Sequence, residues 1–180
     1  HKVEKIYVRY FYVVNNDNNE NVPNATIQFD SAVACNQEII PTVFIHNECM
    51  RSNDTLLADR LLKRILQMNE PHHIGKVREI QIDCDWTLST RKQFYSFMAS
   101  FREKLHKEGI TLSSTIRLHQ LSQPAPPADK GVLMAYNTGD FRKLSVEKPI
   151  LDIRDVLPYL QNLAAYDLPV ATAFTIYKWD

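Results

Sequence analysis

Glycine is scarce in this chain, with four residues among 180. None falls in a G-x-G-x-x-G or G-x-x-x-x-G-K-[ST] pattern. Cradling a phosphate on backbone amides calls for such spacing, so nucleotide binding by either route is not expected. An excess of charge is also missing: 21 Lys and Arg stand against 21 Asp and Glu. No basic run is dense enough to neutralise a row of phosphates, so nucleic acid is not expected as a partner. No apolar run approaches the roughly 20 residues that cross a bilayer, and no transmembrane segment is expected. Cysteine is limited to Cys35, Cys49 and Cys84, an odd number without a CxxC pair. That argues against a disulfide framework and against a paired-Cys zinc site. HExxH, HxxxH and G-x-S-x-G are absent as well, so neither a metal nor a cofactor is expected. The chain opens on His1, which reads as a mature or trimmed product.

What the chain does contain is a globular balance, 44% hydrophobic and 23% charged. That suffices for one domain with a real core, here residues 1–180. β-Branched and aromatic residues at 6–14 (IYVRYFYVV) predict a strand, and the Asn-rich run that follows predicts an exposed loop. The short apolar run TVFI predicts a second strand ending at His46, Asn47 and Glu48. Asn53 and Asp54 then offer N-caps to a helix with Leu57, Leu61 and Ile65 on one face. Residues 77–85 predict a third strand. Ser89 or Thr90 caps a helix whose Phe94, Phe97, Met98, Phe101 and Leu105 repeat at helical spacing, with Gly109 as its stop. Strands at 112–120 and in VLMAYN, a helix opening at Asp152, and a strand in PVATAFTIYKW complete the order.

Strands alternating with helices imply a parallel sheet with helical crossovers. The fold class expected is α/β, of the (β/α) TIM-barrel-like kind. A closed eightfold barrel takes about 250 residues, so six or seven strands in 180 residues predict an incomplete or truncated barrel, lacking C-terminal strands beyond Asp180.

In such folds the site sits at the C-terminal strand ends, where loops and helix N-termini converge. Polar and aromatic residues recur there: His46-Asn47-Glu48, Asp83-Cys84-Asp85-Trp86, Arg117-Leu118-His119-Gln120, Tyr136-Asn137 followed by Asp140, and Tyr177-Lys178-Trp179. Period-two alternation puts Ile80, Ile82, Cys84 and Trp86 on a helix-packing face, and Gln81, Asp83 and Asp85 on the opposite, interior one. Arg117 and His119 share the corresponding face of the next strand. Asp83, the deeper acid, is expected to anchor an ion pair with Arg117, and Asp85 to meet a ligand. The catalytic candidates are Asp85, Asp83 and Asp140. Glycoside hydrolysis needs an acid and a second carboxylate set apart by a defined gap. The two aspartates lie only about 7 Å apart along one strand, so pairing one of them with Asp140 or Glu48 is more natural. Candidate substrate contacts are His46, Glu48, Arg117, His119, Tyr136, Asn137 and Trp179. A metal-dependent hydrolase using His46, Asp85 and His119 ranks below these readings. Nothing in the sequence sets an oligomeric state.

The stretches EIQIDCDWT, LSSTIRLHQL, PPADKGVLMAYNTGD and LPVATAFTIYKW resemble a group of glycoside-hydrolase-like TIM-barrel proteins of unknown function from the envelope of Bacteroidetes-type bacteria, many of them predicted lipoproteins. The resemblance implies a location in the cell envelope, periplasmic or surface, with a lipid anchor in the precursor. It also implies a glycan or other small polar ligand. A more distant likeness connects IQIDCDW and LMAYN to chitinase-type barrels, where alternating acids end in a catalytic Glu and a later strand carries Met-x-Tyr. Met134 and Tyr136 match the later motif, but Thr87 stands where the Glu belongs. Either Asp85 then serves as the acid or turnover is lost. The alternative to an enzyme is a non-catalytic envelope module that binds glycan or protein.

Overall fold

The computed structural model describes residues 3–30, 37–135 and 153–174. They form seven mostly parallel strands with helical crossovers, the α/β class expected. The chain divides into two compact units, His1–Ser114 with Pro126–Ala128, and Thr115–Ala125 with Asp129–Asp180.

In the first unit the strands are β1 (Lys5–Asn15), β2 (Asn21–Asn24), β3 (Glu38–Ile45), β4 (Glu79–Asp83) and β5 (Thr111–Arg117), which reaches into the second unit. They are ordered β2-β1-β3-β4-β5. β1, β3, β4 and β5 pair in parallel, and β2 lies antiparallel on β1. β2 falls in the Asn-rich run expected to be only loop. A tight turn explains it: the Asn16 amide donates to the Glu20 carbonyl at 2.9 Å, and the Asn16 side chain accepts from the Asn18 and Glu20 amides. Asn19 takes φ 60°, a conformation asparagine tolerates better than most residues.

The crossover helices are α1 (Leu57–Asn69) and α2 (Arg91–Lys107). α2 buries Phe94, Met98, Phe101 and Leu105 of the stripe read from the sequence, and leaves Phe97 half-buried. Each such side chain removed from water contributes roughly 1.5–3 kcal/mol. Trp86, two residues beyond Cys84 on the helix-packing face, is buried and stacks on Phe94 at 6.1 Å. Gly109, at φ 68°, ends α2 as expected, and the Ile110 amide returns to the Leu105 carbonyl.

The expected caps work differently. Thr90 is the N-cap residue of α2, but its side chain makes no capping bond. Its hydroxyl donates to Asn47 Oδ1 at 2.6 Å and accepts from the Thr87 amide, tying the end of β3 to the loop after β4. Asp54 is not the N-cap of α1, a position Leu56 holds. It accepts from Arg60 and Asn21. Burial pushes the Asp54 carboxyl up, but the Arg60 bonds and charge and the Asn21 amide outweigh it and hold it below the ordinary value.

The second unit contains β6 (Lys130–Met134) in parallel with β7 (Val170–Ala173), and α3 (Ile153–Leu160). Its Leu118–Ser122 segment is a 3₁₀ turn, so the strand expected through 120 ends at Arg117. The Gln120 side chain causes this by accepting the Arg117 amide at 2.8 Å, which closes the turn.

Candidate functional site at the strand ends of the first unit

Alternation along β4 delivers Glu79, Gln81 and Asp83 to one face, all three buried. Polar side chains at such depth require partners, and β1 and β3 supply them. Glu79 accepts from Lys5 Nζ and from Tyr7 Oη, both at 3.1 Å. Gln81 accepts from Thr42 at 3.2 Å. Asp83 pairs with Arg9, whose Nη2 lies 3.1 Å from Oδ2. This cation from β1 was not among those expected from the sequence.

Arg9 reaches Asp83 because β1 is irregular between Arg9 and Phe11. Arg9 aligns with Thr42 and Phe11 with Val43, which leaves Tyr10 as an extra residue, a bulge. Tyr10 and Phe11 both meet α1: the Tyr10 hydroxyl donates to Asn69 at 2.6 Å, and the Arg64 guanidinium lies over the Phe11 ring. Arg9 and Tyr12 therefore share the polar face although they are three residues apart. Tyr12, Phe44 and Asp83 occupy one level across β1, β3 and β4.

The result is a compact cluster. The Arg9 guanidinium lies over the Tyr12 ring at 5.1 Å and over Phe44 at 5.2 Å, while Nη1 donates to the Tyr12 hydroxyl at 2.8 Å. The His46 ring packs edge-on against Phe44 at 5.3 Å and lies 6.1 Å from Tyr12. Tyr12 and Phe44 are half-buried and His46 is exposed. Asp85 follows β4 and is exposed, as is Glu48 in the turn after β3. Asp83 is thus the anchored acid and Asp85 the accessible one. Arg9, Tyr12 and Phe44 did not stand out in the sequence; the signal was the unbroken RYFY of β1, where an Arg interrupts a strand core.

The other candidates are distributed as follows. Arg117 is half-buried at the end of β5, and His119 is exposed in the turn after it, within the second unit. Asp140, Tyr136, Asn137 and Trp179 lie outside the described residues, as does Cys35. Cys49 is buried, and its thiol donates to the Val13 carbonyl at 3.4 Å. Burial, with Glu48 adding to it, pushes that thiol up to about 11, which removes it as a nucleophile near neutrality. Among the described residues no group of three His, Cys, Asp or Glu side chains could hold a metal ion, and no helix is long and apolar enough to cross a membrane. A cavity of about 370 Å³ is lined by Met50, Ser52, Thr55, Leu57, Ser96 and Phe97 among others, and none of the strand-end acids contributes to it.

No family model and no curated protein matches the sequence. Solved structures do match the fold. The ydhD protein of Bacillus subtilis, described as a sporulation-specific glycosylase, superposes with a TM-score of 0.65 at 15% identity, covering 96% of this chain and 64% of its own. The spore cortex-lytic enzyme SleL of Bacillus cereus gives 0.53 at 21% identity, over 75% of this chain and 35% of its own. The C-terminal domain of a Desulfitobacterium hafniense protein described as a chitinase gives 0.52 at 15% identity, over 76% and 45%. The chain thus spans under two thirds of each. At these identities the likeness establishes the fold, which is that of TIM-barrel-like glycosylases.

Proposed function

We infer that this is a carbohydrate-active protein, glycoside-hydrolase-like, which takes a glycan at the C-terminal strand ends of its first unit. The observation that carries the reading is the division of labour at the end of one strand. Asp83 is buried and fixed by Arg9, level with the half-buried Tyr12 and Phe44, while Asp85 two residues on is exposed. Partly exposed aromatics offer an apolar face to a sugar ring, and an accessible carboxylic acid can protonate a glycosidic oxygen. Asp85 takes that role. Glu48, exposed on the neighbouring strand's turn, is the second carboxylate, which assists water in adding to the anomeric carbon as the glycosidic bond breaks. The proteins that share the fold are described as a glycosylase, a cortex-lytic enzyme and a chitinase, which supports a glycan as ligand and an envelope location.

A second reading, a glycan-binding module without turnover, is favoured by Thr87. It occupies the alternate position after Asp85, and its hydroxyl shares hydrogen bonds with Ser89 and Thr90 in the turn before α2. The deciding experiment measures reducing-end release and binding across a panel of oligosaccharides for wild type and Asp85→Asn. Release that the substitution abolishes supports the enzyme. Saturable binding without release supports the module. Neither binding nor release by the wild type would overturn both.

A further inference from the structure

We propose that Arg9, Tyr12 and His46 form a subsite for a carboxylate on the bound glycan, so that the protein selects acidic over neutral sugars. This rests on the reading of the strand ends given above and adds the ligand's chemical class.

The argument is a count of hydrogen-bond donors. A guanidinium carries five N–H groups in a rigid plane. One Nη1 hydrogen of Arg9 goes to the Tyr12 hydroxyl and one Nη2 hydrogen to Asp83. Among the described residues the other three N–H groups bond nothing, on a side chain that is 44% exposed. The Tyr12 hydroxyl accepts from Arg9 and has no acceptor of its own, so its O–H is also available. His46 makes ring contacts with Tyr12 and Phe44 but no side-chain hydrogen bond. These donors sit within one aromatic cluster at the exposed end of the strands.

Donors this concentrated recognise an acceptor-rich group. A carboxylate fits best, since its two oxygens match the fork of a guanidinium and the bonds are charge-assisted. The guanidinium is also pre-oriented. Asp83 holds one edge, and the guanidinium lies over the adjacent rings of Tyr12 and Phe44, so less rotamer freedom remains to be lost when a ligand arrives.

The test uses the full chain and a glycan panel. It contains uronate-bearing and lactyl-ether-bearing oligosaccharides, the same compounds with their carboxyls reduced to alcohols, and neutral N-acetylglucosamine oligomers. The expected result is that at least one carboxylated glycan binds tenfold or more tightly than its reduced counterpart. Arg9→Gln should erase that preference. Because Arg9 also supports Asp83, Tyr12→Phe serves as a second variant that leaves the ion pair in place, and it should weaken the carboxylated ligand about threefold and the reduced one little. Equal binding of carboxylated and reduced forms, or a preference that persists in both variants, overturns the subsite while leaving the glycan site intact. Binding of neutral oligomers alone does the same. Absence of binding to every glycan refutes the underlying site, and the subsite with it.

Discussion

Arg9→Met, combined with Asp83→Asn, tests the construction of the strand ends most directly. Arg9 is 44% exposed at its side chain and Asp83 only 3%. Losing one partner of a fully buried pair costs about 3–5 kcal/mol, whereas a fully exposed pair contributes about 0–1 kcal/mol. With one partner in each regime, removing Arg9 should destabilise the protein by about 2 kcal/mol. Methionine retains an apolar stem against Tyr12 and Phe44, so this loss reports the charge and its hydrogen bonds more than the packing. Asp83→Asn alone should cost about 1–2 kcal/mol, since the amide keeps an acceptor but loses the charge. Once Asp83 is neutral, Arg9 has less to offer, and the two losses should not add. Urea denaturation followed by far-ultraviolet circular dichroism gives the four free energies of the cycle. We expect a coupling of about 1–2 kcal/mol. Coupling below about 0.5 kcal/mol, the level shown by independent sites, would refute the claim that this pair holds the polar face together.

Three further outcomes follow from the packing and titration of particular residues. Gly131→Ala would place a Cβ 3.0 Å from Ile116 and 3.1 Å from a Leu168 methyl, so thermal unfolding should show a loss of about 1–3 kcal/mol from overpacking; an unchanged midpoint would refute that packing. Cys49, buried and with its thiol pushed up to about 11, should resist iodoacetamide at pH 8 until the protein is unfolded. Peptide mapping reads this site by site, and rapid alkylation of the native protein would contradict it. Tyr7 is pushed up to about 12 by burial, with the charge and hydrogen bond of Glu79 adding to it. The fold therefore favours the protonated phenol, and that contribution, whole below the unfolded value near 10, is lost as pH rises from 10 towards 12. Tyr10 and Tyr95 move the same way. Tyr7→Phe should accordingly lose less stability than wild type between pH 8 and 11, and parallel urea curves for the two would count against the assignment.

The difference in exposure between Asp83 and Asp85 was legible because it is local: Asp83 closes the alternating polar face of β4, and Asp85 follows the strand. The Phe94–Leu105 stripe and the Gly109 stop were legible for the same reason, since each depends only on near neighbours. The pairing of Asp83 with Arg9 was not. The two lie 74 residues apart in sequence, and the irregularity of β1 removes the alternation that would have placed Arg9 and Tyr12 on one face. β2 escaped notice because its four residues lack a hydrophobic pattern and owe their conformation to the Asn16 turn. The caps differ for another reason. Thr90 does stand at the N-cap of α2 and Asp54 precedes α1, but other groups engage their side-chain oxygens: Asn47 for Thr90, and Asn21 with the Arg60 side chain of α1 for Asp54. His119 was placed on a strand face because the side chain that ends the strand, Gln120, comes after the residues it redirects.

The extra residue at Tyr10 makes β1 a strand with two phases. Before it, odd-numbered side chains face the polar layer; after it, even-numbered ones do. Deleting Tyr10 would restore uniform phase and leave the polar layer as it is, because Arg9, Phe11 and Tyr12 would then oppose Thr42, Val43 and Phe44 in regular alternation. The loss would fall on the other face, where Tyr10 is buried and its hydroxyl reaches Asn69 of α1. The extra residue thus serves the helix layer, and the strand gains a second buried aromatic there without moving Arg9 or Tyr12 from the polar side.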